Sequence, residues 1–315
     1  MSVYQLHPQP SAAVHWLERL NHWAQVQPLQ VALRHKRHGQ WQAWRWIDVQ
    51  REVEQRVDGL RQQGFDTRSC LLLCGAFEPD LLLLGLAAHA LGGRVTCLAE
   101  GQGAAQLVEQ WRRIRPSHAF VQKRRDLQQW LAAAARYPGH PCLIVAQAPL
   151  GEVATPALQV LTQWRAAPRQ SQQVRPWRAA LATHWWAEEG SEWGDGLQVL
   201  WQQWLDGGQA LAFPESLASA ARDRRDVRPV ALLLSAPRLA ALAAEIEQRL
   251  PPARSWRRAL CDWAIAQPAA GVRRLLKQRV RRLLGLDNLR SIWQAPQAPV
   301  VETHVWVRDV HREAA

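Results

Sequence analysis

Lysine is nearly missing from this chain. It stands only at Lys36, Lys123 and Lys277, so the formal charge of +12 rests almost wholly on arginine, and any chemistry that needs a lysine ammonium has three positions to draw on. Cysteine is sparse and odd in number. Cys70, Cys74, Cys97, Cys142 and Cys261 lie mostly inside apolar, strand-like runs without the close pairings of a zinc or redox centre, so they read as reduced core residues and no metal site is assigned. Long apolar runs are absent: nothing approaches the roughly eighteen residues of a membrane span, and the start, MSVYQLHPQP, has neither a basic region nor an apolar core. These absences predict a cytoplasmic protein, neither secreted nor membrane-spanning. Tyrosine and phenylalanine are scarce, at two and four, against eighteen tryptophans, many beside Gln or Arg as in Gln40-Trp41-Gln42 and Arg45-Trp46. Trp and Arg together can stack on single-stranded bases. Here the tryptophans follow secondary-structure periodicity rather than clustering, which favours a core role in a lineage that replaces Lys by Arg.

What is present is an α/β pattern. At 315 residues the chain can bury a substantial core in one large or two modest domains. Ala12 to Val26 spaces Val14, Leu17, Leu20 and Trp23 by threes, an amphipathic helix ended before Pro28. Val31 to Arg37 and Gln40 to Trp46 flank His38-Gly39, a strand-reversing turn. Val49, Val53, Val57 and Leu60 have helical spacing, with Gly64 as the left-handed stop. Cys70 to Cys74 is wholly apolar, as a strand covered on both faces must be; Glu78-Pro79 opens a helix that Gly92-Gly93 closes, and Arg94 to Leu98 is the next parallel strand. Helix and strand then alternate through Val145, and again from Leu197 to Trp293. Gly101-x-Gly103 lacks the third glycine of a phosphate loop and reads as a turn.

In order and spacing these residues resemble the N-terminal part of the adenylate-forming superfamily, and within it the long-chain acyl-CoA synthetases. Val31-Ala32-Leu33, Trp44-Arg45-Trp46, Gly59-Leu60…Gly64 and Ala90-Leu91-Gly92-Gly93 fill the places of that family's "PAL", "W…TW", "GL…G" and "ALGG". Further on, ALATHWWAEE (180–189) resembles its "LPLxHxxE", Phe213-Pro214-Glu215 its "FPE" and Pro237-Arg238 its "PR". The chain departs from the family where chemistry is done. In place of the Ser/Thr/Gly-rich loop that cradles ATP phosphates it has AQAPLGEVATPALQVLTQWRAAPRQSQQVRPWRAA, with no lysine and no glycine between Glu152 and Gly190. Nor does "YGxTE", with its adenine-stacking aromatic and magnesium-holding acid, appear near Trp293 or Trp306.

The resemblance implies a layered α/β fold like the N-terminal core of acyl-CoA synthetases, incomplete and lacking the C-terminal lysine domain. An N-terminal helix (1–28) and a first α/β subdomain (29–150) are followed by an irregular segment (151–179) replacing the phosphate loop, then a second, partial α/β subdomain (180–315) with a basic helix and tail, another strand being expected from Pro299 to Val305. His184, Trp185, Glu188 and Glu189 are then the remnant of an acyl or nucleotide pocket, although a histidine beside two tryptophans also suits a packed residue. GVRRLLKQRVRRLL (271–284) sets Leu275, Leu276, Val280, Leu283 and Leu284 on one side. Its Arg273, Arg274, Lys277, Arg281 and Arg282, with Trp306 of the tail, are candidates for binding a partner or an anionic surface, against the plainer reading of a solvated basic face. The expected function is that of a catalytically inactive acyl-CoA synthetase-like protein, with no catalytic residue and no cofactor, binding or regulating a protein partner such as an acyl carrier protein or a full-length synthetase. One alternative is a ligase subunit completed by a second chain and using ATP and Mg²⁺. Another is a basic binder, peripheral to the membrane or, as the weaker form, on nucleic acid.

Overall fold

The computed structural model describes residues 12–137, 139–140, 142–147, 158–161, 184–194, 196–265, 271–293 and 304–308. Helix α1 (Ala12–Val26) leads to a hairpin of β1 (Val31–Arg37) and β2 (Gln40–Arg45), whose turn residues His38 and Gly39 both have positive φ, 50° and 74°. Such a turn matches the twist of the paired strands, and glycine adopts it without strain. Strand β2 ends one residue before the pattern predicts because Trp46 already belongs to α2 (Trp46–Gln62). Asp48 accepts from the Arg45 backbone N–H at 3.1 Å and from its guanidinium at 2.8 Å, closing the first helical turn.

The βαβ unit follows as β3 (Cys70–Cys74), α3 (Pro79–Ala90) and β4 (Arg94–Cys97), with Leu71 opposite Val95 and Leu72 opposite Thr96 in parallel register. Helix α4 (Ala104–Ile114), β5 (His118–Val121), α5 (Arg124–Ala135), β6 (Leu143–Ala146) and β7 (Leu158–Val160) complete a parallel sheet of order β4-β3-β5-β6-β7. Strand β7 falls inside the segment expected to be irregular; its short apolar-polar alternation, Leu158-Gln159-Val160, completes the sheet edge beside Ile144 to Ala146. Residues 148–157 and 162–183, the rest of the stretch that stands for the phosphate loop, lie outside the described residues.

The second sheet is built from β8 (His184–Ala187), α6 (Gly196–Gly207), β9 (Ala210–Phe213), α7 (Ala220–Val227), β10 (Ala231–Leu233), α8 (Ala236–Arg249), α9 (Trp256–Ile265), α10 (Val272–Leu284) and β11 (Ser291–Trp293). Its order is β11-β10-β8-β9-β1-β2, so the hairpin that comes first in the chain lies in the later sheet. The strand expected from Pro299 to Val305 is not seen where it is described: 299–303 lie outside the described residues, and Val305 begins a short helix, α11 (Val305–Arg308).

Alternation along the strands assigns each face its layer. Leu71 and Leu73 of β3 join a core shared with Leu33, Leu211, Phe213 and Leu233 of the other sheet, while Leu72 and Cys74 point the opposite way, towards Leu107, Trp111, Leu127 and Trp130 of α4 and α5. Trp186, Leu232 and Leu234 likewise face Leu239, Leu242 and Ile246 of α8. Helices α3 and α6 therefore lie between the sheets. Helix α3 is apolar but for His89 and Asp80, the latter paired with Arg56 at 2.9 Å, and it is buried from Pro79 to Ala88, as a helix covered on every side must be. The tryptophans serve this core: Trp204 stacks on Trp46 at 5.2 Å and donates to Ala32 O at 3.1 Å, and Trp201 donates to Leu82 O at 3.2 Å.

Candidate functional site

Parallel strands end together, and the loops beyond their carboxyl ends enclose a crevice. Ala76 and Glu78 follow β3, Glu100 follows β4, and Gln122 and Lys123 follow β5; Glu189, Gly190 and Glu192 follow β8, Glu215 follows β9, and Arg238 opens α8. These residues line a cavity of about 440 Å³. Open α/β sheets bind ligands at this end of their strands, and the volume is that of a small-molecule site.

Its floor is a backbone zipper joining the two sheets. Phe77 N–H donates to Glu189 O at 2.8 Å, Ser191 N–H to Gly75 O at 2.8 Å, and Gly75 N–H to Ser191 Oγ at 2.9 Å; the Ser191 hydroxyl donates onward to Leu98 O at 2.6 Å. The approach leaves no room for side chains at the crossing. A Cβ on Gly75, whose φ is 147°, would fall 2.3 Å from Gln122 Oε1, and one on Gly190 would fall 3.0 Å from Gly75 O.

Among the described residues the lining is rich in acids. Five carboxyl groups, Glu78, Glu100, Glu189, Glu192 and Glu215, stand with two cations, and both cations are already engaged: Lys123 pairs with Glu100, and Arg238 Nη2 lies 3.1 Å from Glu192 Oε1. Glu215 accepts the Gly39 N–H of the hairpin turn at 3.2 Å. Glu189 is 3% exposed; its Oε1 accepts the Ser235 N–H at 2.6 Å, whereas its Oε2 has no partner among the described residues. Burial pushes the carboxyls of Glu189 and Glu78 up to about 7, because an apolar surrounding disfavours the charged form. Beside Glu78, burial lowers His35 to about 4, so this imidazole is neutral and does not balance the carboxyls. No group of three or more His, Cys, Asp or Glu side chains suited to a metal ion occurs among the described residues.

Of the expected pocket residues only Glu189 lines this cavity. His184 stands at the opposite end of β8, buried, with Nε2 3.4 Å from Arg34 Nη1. Trp185 stacks on Trp293 at 5.8 Å. Glu188 turns to the other side, where it accepts from Trp186 Nε1 at 2.7 Å and pairs with Arg224 at 3.2 Å. Strand geometry is the reason: His184 is the first residue of the four-residue β8, whose far end opens on the cavity, and neighbouring side chains alternate in direction. Glu78, Glu100, Gln122, Lys123, Glu192, Glu215 and Arg238 also belong to the site; Glu215 and Arg238 stand in the segments that resemble "FPE" and "PR", and the others carry no site motif. Their shared signal is position, each just past a strand or, for Arg238, in the first turn of α8.

The candidate surface residues also divide. Lys277 and Arg281 are buried, and Arg281 donates to Leu286 O at 3.1 Å and Leu289 O at 2.9 Å, capping carbonyls beyond its own helix rather than facing outward. Trp306 is 2% exposed and packs in the core under α8, so it is no surface anchor. Arg273 lies with its guanidinium 4.0 Å from the Trp263 ring centre. Arg274 and Arg282 are exposed.

No family model matches the chain, and no curated protein matches it in sequence. Solved structures do. The A-PCP didomain of carboxylic acid reductase from Segniliparus rugosus, in complex with AMP, aligns with TM-score 0.67 at 12% identity over 97% of this chain and 53% of that one. Coronafacic acid ligase from Pectobacterium brasiliense gives 0.62 at 10% identity over 94% and 63%. The luciferase-like enzyme of the nonluminescent Zophobas morio mealworm gives 0.59 at 10% over 91% and 73%. The fold is that of the N-terminal region of adenylate-forming enzymes. The chain spans about half to three quarters of the length of these structures, and at such identities the likeness is one of adenylate-forming fold alone.

Proposed function

We propose that this chain is a non-adenylating protein of acyl-CoA synthetase-like fold that acts by binding, as a partner or regulator in acyl metabolism. The observation that carries the proposal is the charge of the cavity. Adenylation spreads negative charge over a transferring α-phosphate and needs cations or aligned donors aimed at it. Among the described residues, the two cations of the cavity are paired with Glu100 and Glu192, and no further lysine or arginine lines it to meet a polyphosphate. The loop sequence agrees, with no lysine between Ala146 and Ala180. Support for acyl metabolism comes from the fold, which the chain shares with a coronafacic acid ligase and an acetoacetyl-CoA synthetase.

Calorimetric titration with Mg-ATP, together with pyrophosphate exchange in the presence of fatty acids, tests the proposal. The expected result is no saturable heat and no exchange above a heat-killed control. Micromolar binding, or exchange that depends on fatty acid, would overturn it in favour of a ligase subunit.

A further inference from the structure

Among the described residues, six of the nine large apolar side chains that stand exposed lie on α9 and α10: Trp256, Leu260 and Trp263, then Val272, Leu275 and Leu283. Each set keeps helical spacing. On α9 the three fall at i, i+4 and i+7, with Cys261 and Ala264 buried to one side of that face; on α10 Val272, Leu275 and Leu283 lie opposite Lys277, Arg281 and Leu284, which are buried. The two exposed faces meet where Arg273 of α10 stacks on Trp263 of α9.

We propose that this face rests on an anionic lipid surface. Its charge pattern identifies the occupant. Exposed Arg279 and Arg282 lie between Leu275 and Leu283, so guanidinium and apolar groups are interleaved along the helix; α10 contains no acidic residue, and the acid of α9, Asp262, is paired with Arg258 at 3.1 Å. The core of a protein interface is depleted of charge. A headgroup layer wants both kinds of group at one depth, with arginine on the phosphates, leucine and valine below them, and tryptophan at the boundary.

Flotation of the full chain with vesicles is the test, phosphatidylglycerol-containing against pure phosphatidylcholine. The wild type is expected to float with the former and not the latter. Leu275→Glu with Leu283→Glu should abolish flotation, and Arg279→Ala with Arg282→Ala should lower the partition coefficient roughly fivefold per arginine. All four positions are exposed, so both variants should keep the wild-type circular dichroism and melting curve. Wild-type protein that stays in solution with phosphatidylglycerol overturns the proposal, as does flotation equal in all three proteins. Binding to an acidic probe protein, acyl carrier protein, that depends on these positions while vesicles are ignored overturns it in favour of a protein partner.

Discussion

Glu189 shows how one buried carboxyl group can be made to report on its surroundings. One oxygen is held by the Ser235 backbone, the other is buried with no partner among the described residues, and burial raises the group from 4.5 to about 7. The folded state therefore binds this proton more tightly than the unfolded chain does. Its contribution to stability is complete below about pH 4.5, declines as pH rises through the interval, and is lost above about 7. Glu189→Gln keeps an acceptor for the Ser235 N–H and removes the titration. We expect the unfolding free energy of the variant to match wild type near pH 4.5 and to exceed it by on the order of 2 kcal/mol near pH 8, as read from urea unfolding at stepped pH. A difference that stays constant with pH would mean that the carboxyl titrates as an ordinary glutamate.

At the scale of elements, adjacent leucines of α10 carry opposite weight. Leu283 is 62% exposed and Leu284 is 3% exposed, packed with Leu286 and Leu289 under α7 and α8. Leu284→Ala should cost about 2–5 kcal/mol in chemical unfolding, through lost transfer energy and a residual cavity, whereas Leu283→Ala should stay within about 0.5 kcal/mol. Equal losses would mean that α10 is rotated from the orientation described. Periodicity alone placed both on one apolar stripe, because a run so rich in leucine and arginine fits two helical faces. What decides between them is Arg281, whose guanidinium turns inward to carbonyls at Leu286 and Leu289 that the helix pattern does not reveal. The βαβ unit was legible for the converse reason: Cys70–Cys74 is uniformly apolar, Pro79 and Gly92-Gly93 mark the helix ends, and the parallel pairing of β3 with β4 then follows from chain handedness. Most of the cavity was not legible, since its five glutamates come from four separate loops and converge only because parallel strands end at one level.

At the scale of the whole molecule, the two sheets share one core. Helices α3 and α6 lie between them, and the contacts that cross this layer are specific: Trp201 donates to Leu82 O, Trp204 to Ala32 O, and Gly75 and Ser191 exchange hydrogen bonds at the crevice floor. Separating the sheets would expose Leu71, Leu73, Phe120 and Phe213, and would strand the indole N–H groups in an apolar layer. Neither sheet is then expected to persist alone, although a chain of this length often unfolds in stages. We expect a single urea transition, with far-ultraviolet circular dichroism and tryptophan emission superimposable. Trp201→Ala should move both curves together to lower urea, by the equivalent of about 3–5 kcal/mol, because it removes contacts that belong to both sheets. Two separated transitions, or a Trp201→Ala shift confined to one probe, would show instead that the sheets unfold independently and that the crevice between them can open without loss of either.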